Sequence, residues 1–305
     1  MSIFKLDPAF KDYIWGGTRL RDEYRKKCDY DKVAESWELS CHKDGPSVVA
    51  DGEYKGLTLN EYIEKAGKGV LGKNCERFEN FPILIKLIDA KDNLSVQVHP
   101  DNDYAMRVEG EYGKTEMWYV VDCDEGATLL YGFKHEITKE EFARRIADNT
   151  LLEVTNAVPV KKGDVFFIKS GTLHAIGKGI LIAEIQQNSN TTYRIYDYGR
   201  VGKDGKPREL HVNKALDVTK LAPAEQYPET PVEKKDGYDI KLLSKCEYFT
   251  TYRVNVETKA ELDADENSFN SILVLEGEPV ISGGETVSAK KGESVFISAG
   301  TGKYT

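Results

Sequence analysis

The chain has 305 residues, enough for two ordinary domains or one large β domain with a sizeable core. Its 42 basic and 51 acidic residues leave a net charge of −9 and no basic stripe, which argues against nucleic acid or an anionic membrane as partner; an anionic ligand needs a local basic pocket. Five scattered cysteines without C-x-x-C spacing read as reduced thiols of a cytoplasmic protein and argue against a cysteine-type zinc site.

The opening MSIFKLDPAF is interrupted by Lys5 and Asp7 before an apolar stretch builds up, so it does not read as a secretory signal. No run approaches the roughly 18 apolar residues of a membrane span. Residues 1–50, with Trp15-Gly16-Gly17 and Glu35-Ser36-Trp37-Glu38, predict short strands joined by charged turns. Thr58 followed by Glu61 is a capping box that opens a helix over 58–66, and Gly67 stops it. The run 81–88, FPILIKLI, is apolar on both faces except for Lys86 and predicts a buried strand.

Residues 93–121 predict two alternating strands. Parity puts Ser95, Gln97 and His99 on one face of the first, and Lys114, Glu116 and Trp118 on one face of the second. If the two strands are neighbours, an amide, an imidazole, a carboxylate and an ammonium meet at one spot. Further strands are predicted over 127–133, 156–160, 164–169, 173–176 and 179–187, with a second helix opened by Thr138 and carrying Phe142 and Ile146 on one face. The segment 161–176 ends a strand and a Ser-Gly turn on His174, a fourth ligand-type residue. Gln97, His99, Glu116 and His174 form a mixed nitrogen and oxygen set that suits zinc or another divalent first-row metal. A lone strand histidine is ordinarily core or surface; it is the combination, in a chain with five histidines, that points to a metal.

The Pro-rich, charged stretch 221–236 reads as a linker, and strands return over 238–243, 248–256, 270–275 and 294–297. Residues 290–305 can be laid on 161–176 at a constant offset of 129, which sets Lys303 against His174. Aligning SILVLEG with MWYVVDC sets Asn270 against Glu116. Many short strands and few short helices predict an all-β protein with two copies of one fold, the second without metal residues. The first copy continues through 179–187 after its turn, whereas the second stops at Thr305, so its closing strand is expected to be missing or supplied from elsewhere.

Val96-Gln97-Val98-His99-Pro100, Lys114-Thr115-Glu116 and Ser170-Gly171-Thr172-Leu173-His174 resemble the cupin motifs of class I mannose-6-phosphate isomerases, in their short bacterial form. The resemblance extends to Trp15-Gly16-Gly17, Glu35-Ser36-Trp37-Glu38 and the stretch from Gln186 to Arg194. It implies two double-stranded β-helix (jelly-roll) cupin barrels. A catalytic domain would span 1–225, with an N-terminal strand that can be shared with the second barrel, and a second, metal-free domain 236–305, whose C-terminal end is either truncated or completed from elsewhere in the chain. It also implies zinc-dependent interconversion of mannose 6-phosphate and fructose 6-phosphate, with metal on Gln97, His99, Glu116 and His174 and an active-site arginine at Arg194. Asn190 stands where relatives often carry Asp, and Gly113 where longer members carry His, which leaves the proton-transferring base unassigned.

Such chemistry moves a proton between C1 and C2 through an enediolate and needs a counterion for the developing oxyanion. Lys114 shares its face with Glu116 and can stabilise that oxyanion or shuttle the proton, whereas Glu116 is better cast as a ligand. Arg194 offers a planar fork to an enediolate or a phosphate. Trp15, Trp37 and Trp118 are expected in the core in preference to lining a sugar pocket, and His42, His135 and His211 on the surface. Two other readings use the same barrel: a sugar-phosphate sensor without turnover, and an iron oxygenase, which Gln97 and Lys114 disfavour.

Overall fold

The computed structural model describes residues 2–202 and 205–305. It is built mainly from antiparallel sheets with few helices, consistent with a cupin-type fold. A six-stranded sheet runs in the order Val165–Ile168, Glu116–Cys123, Ile180–Gln187, Ile83–Ala90, Glu35–Leu39 and Ala9–Lys11. Facing it is a five-stranded sheet of Tyr193–Tyr196, Val96–Val98, His174–Ala175, Thr128–Phe133 and Thr155–Pro159.

Both faces of the six-stranded sheet are buried, so its strands read as near-continuous apolar runs instead of alternating ones. Trp118, Val120, Ile182 and Ile88 point inward and pack on Leu129 and Tyr131 of the facing sheet. Their neighbours Met117, Tyr119, Val121, Leu181 and Leu87 point outward and join a second core with Phe4, Phe269 and Phe296. The outer face of the five-stranded sheet is covered by Lys139–Ala147 and Val212–Val218, with Phe133, Phe142 and Ala215 buried between.

The helix predicted over 58–66 is Leu59–Ala66, with the reciprocal capping box of Thr58 and Glu61 in place. The Thr138 helix is Lys139–Ala147. Three helices lacked a sequence signature and went unpredicted: Arg19–Asp22, Asn102–Val108 and Val212–Val218. Asp101 caps the second of these through its side chain, but the two-turn helix carries only one fully buried residue, Ala105. The strand Tyr193–Tyr196 also went unpredicted.

Trp15-Gly16-Gly17 owes its glycines to close approach. A Cβ on Gly16 would lie 2.6 Å from Ala34 Cα, and one on Gly17 would lie 2.3 Å from a carboxylate oxygen of Asp89.

The chain's first strand, Ile3–Asp7, belongs to a four-stranded sheet with Asn270–Leu273, Ser294–Ile297 and Val48–Val49, where Ile3 pairs with Ile297. The predicted linker is only partly one: Val232–Lys234 pairs with Tyr238–Lys245, and the Ala222 and Glu225 carbonyls accept bonds from Phe133 N–H and Tyr131 Oη–H. Among the described residues no helix is long and apolar enough to cross a membrane.

Candidate metal centre

The strands carrying Gln97 and Glu116, whose pairing strand parity alone leaves open, are not hydrogen-bonded neighbours. They lie in opposite sheets and meet across the barrel interior. In the five-stranded sheet Arg194 pairs with Gln97, and Gln97 with His174, so one register row carries three side chains inward. Opposite stands Glu116, paired with Ile168 on one side and Gln186 on the other. His99 lies one residue past the strand Val96–Val98, and its carbonyl accepts Gly171 N–H of the turn that leads to His174. Gly171 has φ +85°, a conformation that suits glycine in this tight turn.

The ligand-type atoms of His99, Glu116 and His174 lie within 4.8 Å of one another, and all three residues are buried. The two Nε2 atoms are 3.2 Å apart, and Glu116 lies 3.6 Å from His99 Nε2 and 3.4 Å from His174 Nε2. The Gln97 amide is 3.4 Å from His174 Nε2, and a half-turn of that amide exchanges its nitrogen for its oxygen. Each imidazole uses Nδ1–H to donate to a backbone carbonyl, His99 to Thr191 at 2.9 Å and His174 to Thr172 at 2.8 Å. In the neutral ring that fixes the tautomer and leaves Nε2 as a bare lone pair. Burial holds both rings neutral: His99 is pushed well below the usual range, with Lys114 as a further cause, and His174 down to about 4.

Two lone pairs facing each other at 3.2 Å repel unless a cation lies between them. Neither Glu116 oxygen makes a hydrogen bond of good geometry, although the Lys114 ammonium stands 2.7 Å from Oε2 and 3.2 Å from His99 Nε2. Burial, then the nearby Glu184 carboxylate, pushes the Glu116 carboxyl up, which is the direction a cation would reverse. Two imidazoles, a carboxylate and an amide therefore fit a divalent first-row metal.

A polar row missed by the sequence reading lies beside this centre. Trp118, Glu184, Lys86 and Trp37 stand opposite one another in register across four strands. Trp118 Nε1–H donates to Glu184 at 2.9 Å, Trp37 Nε1–H donates to Glu35 at 2.6 Å, and Lys86 lies 3.4 Å from Glu184 and 3.5 Å from Glu35. Burial opposes the Glu184 charge, but Lys114 and Lys86 outweigh it and hold the carboxyl low. The signal was present: Lys86 in FPILIKLI and Glu184 in LIAEIQQ are lone charges inside apolar runs, on the inward parity.

Arg194 sits at the end of the row that carries Gln97 and His174, with Nη1–H donating to the Glu209 carbonyl at 2.9 Å and its buried Nε without a partner. Arg200 and Arg208 both bind Asp197 nearby. All three tryptophans are buried, as expected, and His135 is exposed. His42, expected on the surface, is buried: its ring packs edge-on against Trp37.

Residues 3–126 match the family model for the phosphomannose isomerase type I catalytic domain, and 239–305 that for the mannose-6-phosphate isomerase cupin domain. The chain is 40% identical to mannose-6-phosphate isomerase ManA of Bacillus subtilis over 299 residues, which is 97% of this chain and 93% of that one. A crystal structure of mannose 6-phosphate isomerase from Bacillus subtilis superposes with a TM-score of 0.91 at 38% identity, covering 100% of this chain and 98% of that one. A zinc-bound mannose 6-phosphate isomerase shares the fold, with a TM-score of 0.74 at 17% identity over 100% of this chain and 96% of that one.

Proposed function

Because the chain belongs to the type I phosphomannose isomerase family, we propose that it interconverts mannose 6-phosphate and fructose 6-phosphate through an enediolate, with zinc as cofactor. The observation that carries the metal reading is the convergence of two Nε2 lone pairs 3.2 Å apart and a buried carboxylate 3.4 and 3.6 Å from them, beside the Lys114 ammonium. Gln97, His99, Glu116 and His174 would hold the cation, which supplies Lewis acidity toward the sugar's C1 and C2 oxygens when bound. The zinc-bound relative of the same fold supports that choice.

Lys114 and Arg194 act on the substrate in this reading. The Lys114 ammonium, held between Glu116 and Glu184, stabilises negative charge developing at the enediolate oxygens. Arg194 presents its unpartnered Nε to an anionic part of the sugar phosphate, in surroundings made positive by Arg200 and Arg208. Burial of the walls excludes water from the proton transfer.

The same reading divides the chain into a catalytic cupin domain over 1–225, with its first strand lent to the other sheet, and a metal-free cupin-like domain over 236–305. The register supports two copies of one barrel. Ile168 stands opposite Glu116 and Ile297 opposite Asn270, and 297 is 168 displaced by the 129 residues of the repeat. Five unpaired thiols fit a cytoplasmic enzyme.

The test is direct. Metal-replete protein is incubated with mannose 6-phosphate and fructose 6-phosphate is followed, with and without a chelator. Chelator-sensitive turnover is the expected result; tight binding of the sugar phosphate without turnover would leave a sensor in place of the enzyme.

A further inference from the structure

The two histidines are oriented by different means. His174 donates to Thr172, two residues away within its own turn. His99 donates to Thr191, which lies on the loop entering the strand Tyr193–Tyr196. That loop has its own restraint. Glu111, just beyond the helix Asn102–Val108, accepts from Asn190 N–H at 3.4 Å and from the Thr191 hydroxyl at 3.3 Å, both on Oε2. Its Oε1 faces His42 Nε2 at 3.5 Å and Lys43 Nζ at 3.2 Å. His42 Nδ1 accepts Asp44 N–H at 3.1 Å, so in the neutral ring Nε2 carries the hydrogen and points it at Glu111. Asn190 is tied a second time, its side-chain N–H donating to Asp44 at 2.9 Å.

We propose that Glu111, backed by the buried His42, is a positioning residue for His99: it latches residues 190–191 so that the Thr191 carbonyl holds the imidazole with Nε2 aimed at the metal centre. The inference rests on the metal reading above. It gives Asn190 a task that needs an amide donor, which an aspartate could not perform. Groups behind a ligating histidine ordinarily matter about 10–100-fold in metal affinity.

The test compares the full-length wild type with Glu111→Ala and with Thr191→Val, which removes only the hydroxyl. Cobalt(II) replaces zinc, and affinity and the visible ligand-field spectrum are read by titration. In metal-free protein, the hydrogen-bonded Nδ1–H protons of His99 and His174 are read by NMR, the former identified by its loss in His99→Gln. Glu111→Ala is expected to weaken cobalt binding about 10–100-fold, to alter the spectrum and to speed exchange of the His99 Nδ1–H. The His174 Nδ1–H, held within its own turn, stays unchanged and reports that the barrel is intact. Thr191→Val gives a smaller change in the same direction. Unchanged cobalt affinity or an unchanged His99 signal in Glu111→Ala overturns the latch. Failure of the wild type to take up cobalt removes the metal reading instead, while the NMR comparison still decides whether Glu111 orients His99.

Discussion

The barrel interior around Glu116 and the matched region around Asn270 have the same strand register but different polar content. Around Glu116, two imidazole lone pairs and a carboxylate converge on one spot beside the buried Lys114 ammonium. Around Asn270, the amide donates to the Asp263 carbonyl and to Tyr304 Oη, each at 2.9 Å, and is satisfied within the protein. Trp118 and Val120 of the first region correspond to Ile272 and Val274, which line an aliphatic core with Val295 and Ile297. The residue set against His174 does not even face inward. Lys303 reaches solvent and pairs with Glu261, while its neighbour Tyr304 turns into the core. What separates the two regions is thus the kind of buried polar group each holds: converging ligand-type atoms in one, an internally bonded amide in the other.

Four substitutions would break or sharpen that contrast. His174→Ala has the largest effect: metal binding and turnover fall by more than about 100-fold, beyond the loss of an outer partner, as read by bound-metal stoichiometry and by fructose 6-phosphate formation. Lys86→Met leaves Glu35 and Glu184 as buried carboxylates without their shared cation, and urea unfolding should show a loss of roughly 3–5 kcal/mol. Asn270→Leu removes two hydrogen bonds and strands a phenol, for about 1–2 kcal/mol of stability with metal content and turnover unchanged. Lys303→Ala removes a solvent-exposed ion pair and costs less than about 0.5 kcal/mol, again with metal and turnover intact. Loss of metal in either of the last two variants would contradict the assignment of the active barrel.

Strand parity made most of the centre legible. Gln97, His99, Glu116 and His174 converge because alternation places each on an inward face, and alternation is visible in sequence. Parity could not say that the strands meet face to face instead of edge to edge, since that depends on which distant strands pair. Lys86 and Glu184 were hidden for a related reason: each looks like an isolated defect in an apolar run until the register row joins them. Glu111 and Thr191 lie on loops, where no periodicity reports direction. The offset that sets Lys303 against His174 could not foresee the outward turn of Lys303. There Gly302, at φ +73°, takes the place of Leu173 and opens the strand Gly302–Tyr304, which pairs with Leu262–Ala264.

The pairing of Ile3 with Ile297 has a consequence for biosynthesis. A ribosome delivers Ile3, Phe4 and Leu6 long before the strand that pairs with them, which emerges only after almost everything between has been made. Until then this apolar segment has an unsatisfied edge open to competing chains, and closing so long a loop slows its capture. The Ile3–Asp7 strand is thus one that a holding chaperone would shield in the nascent protein.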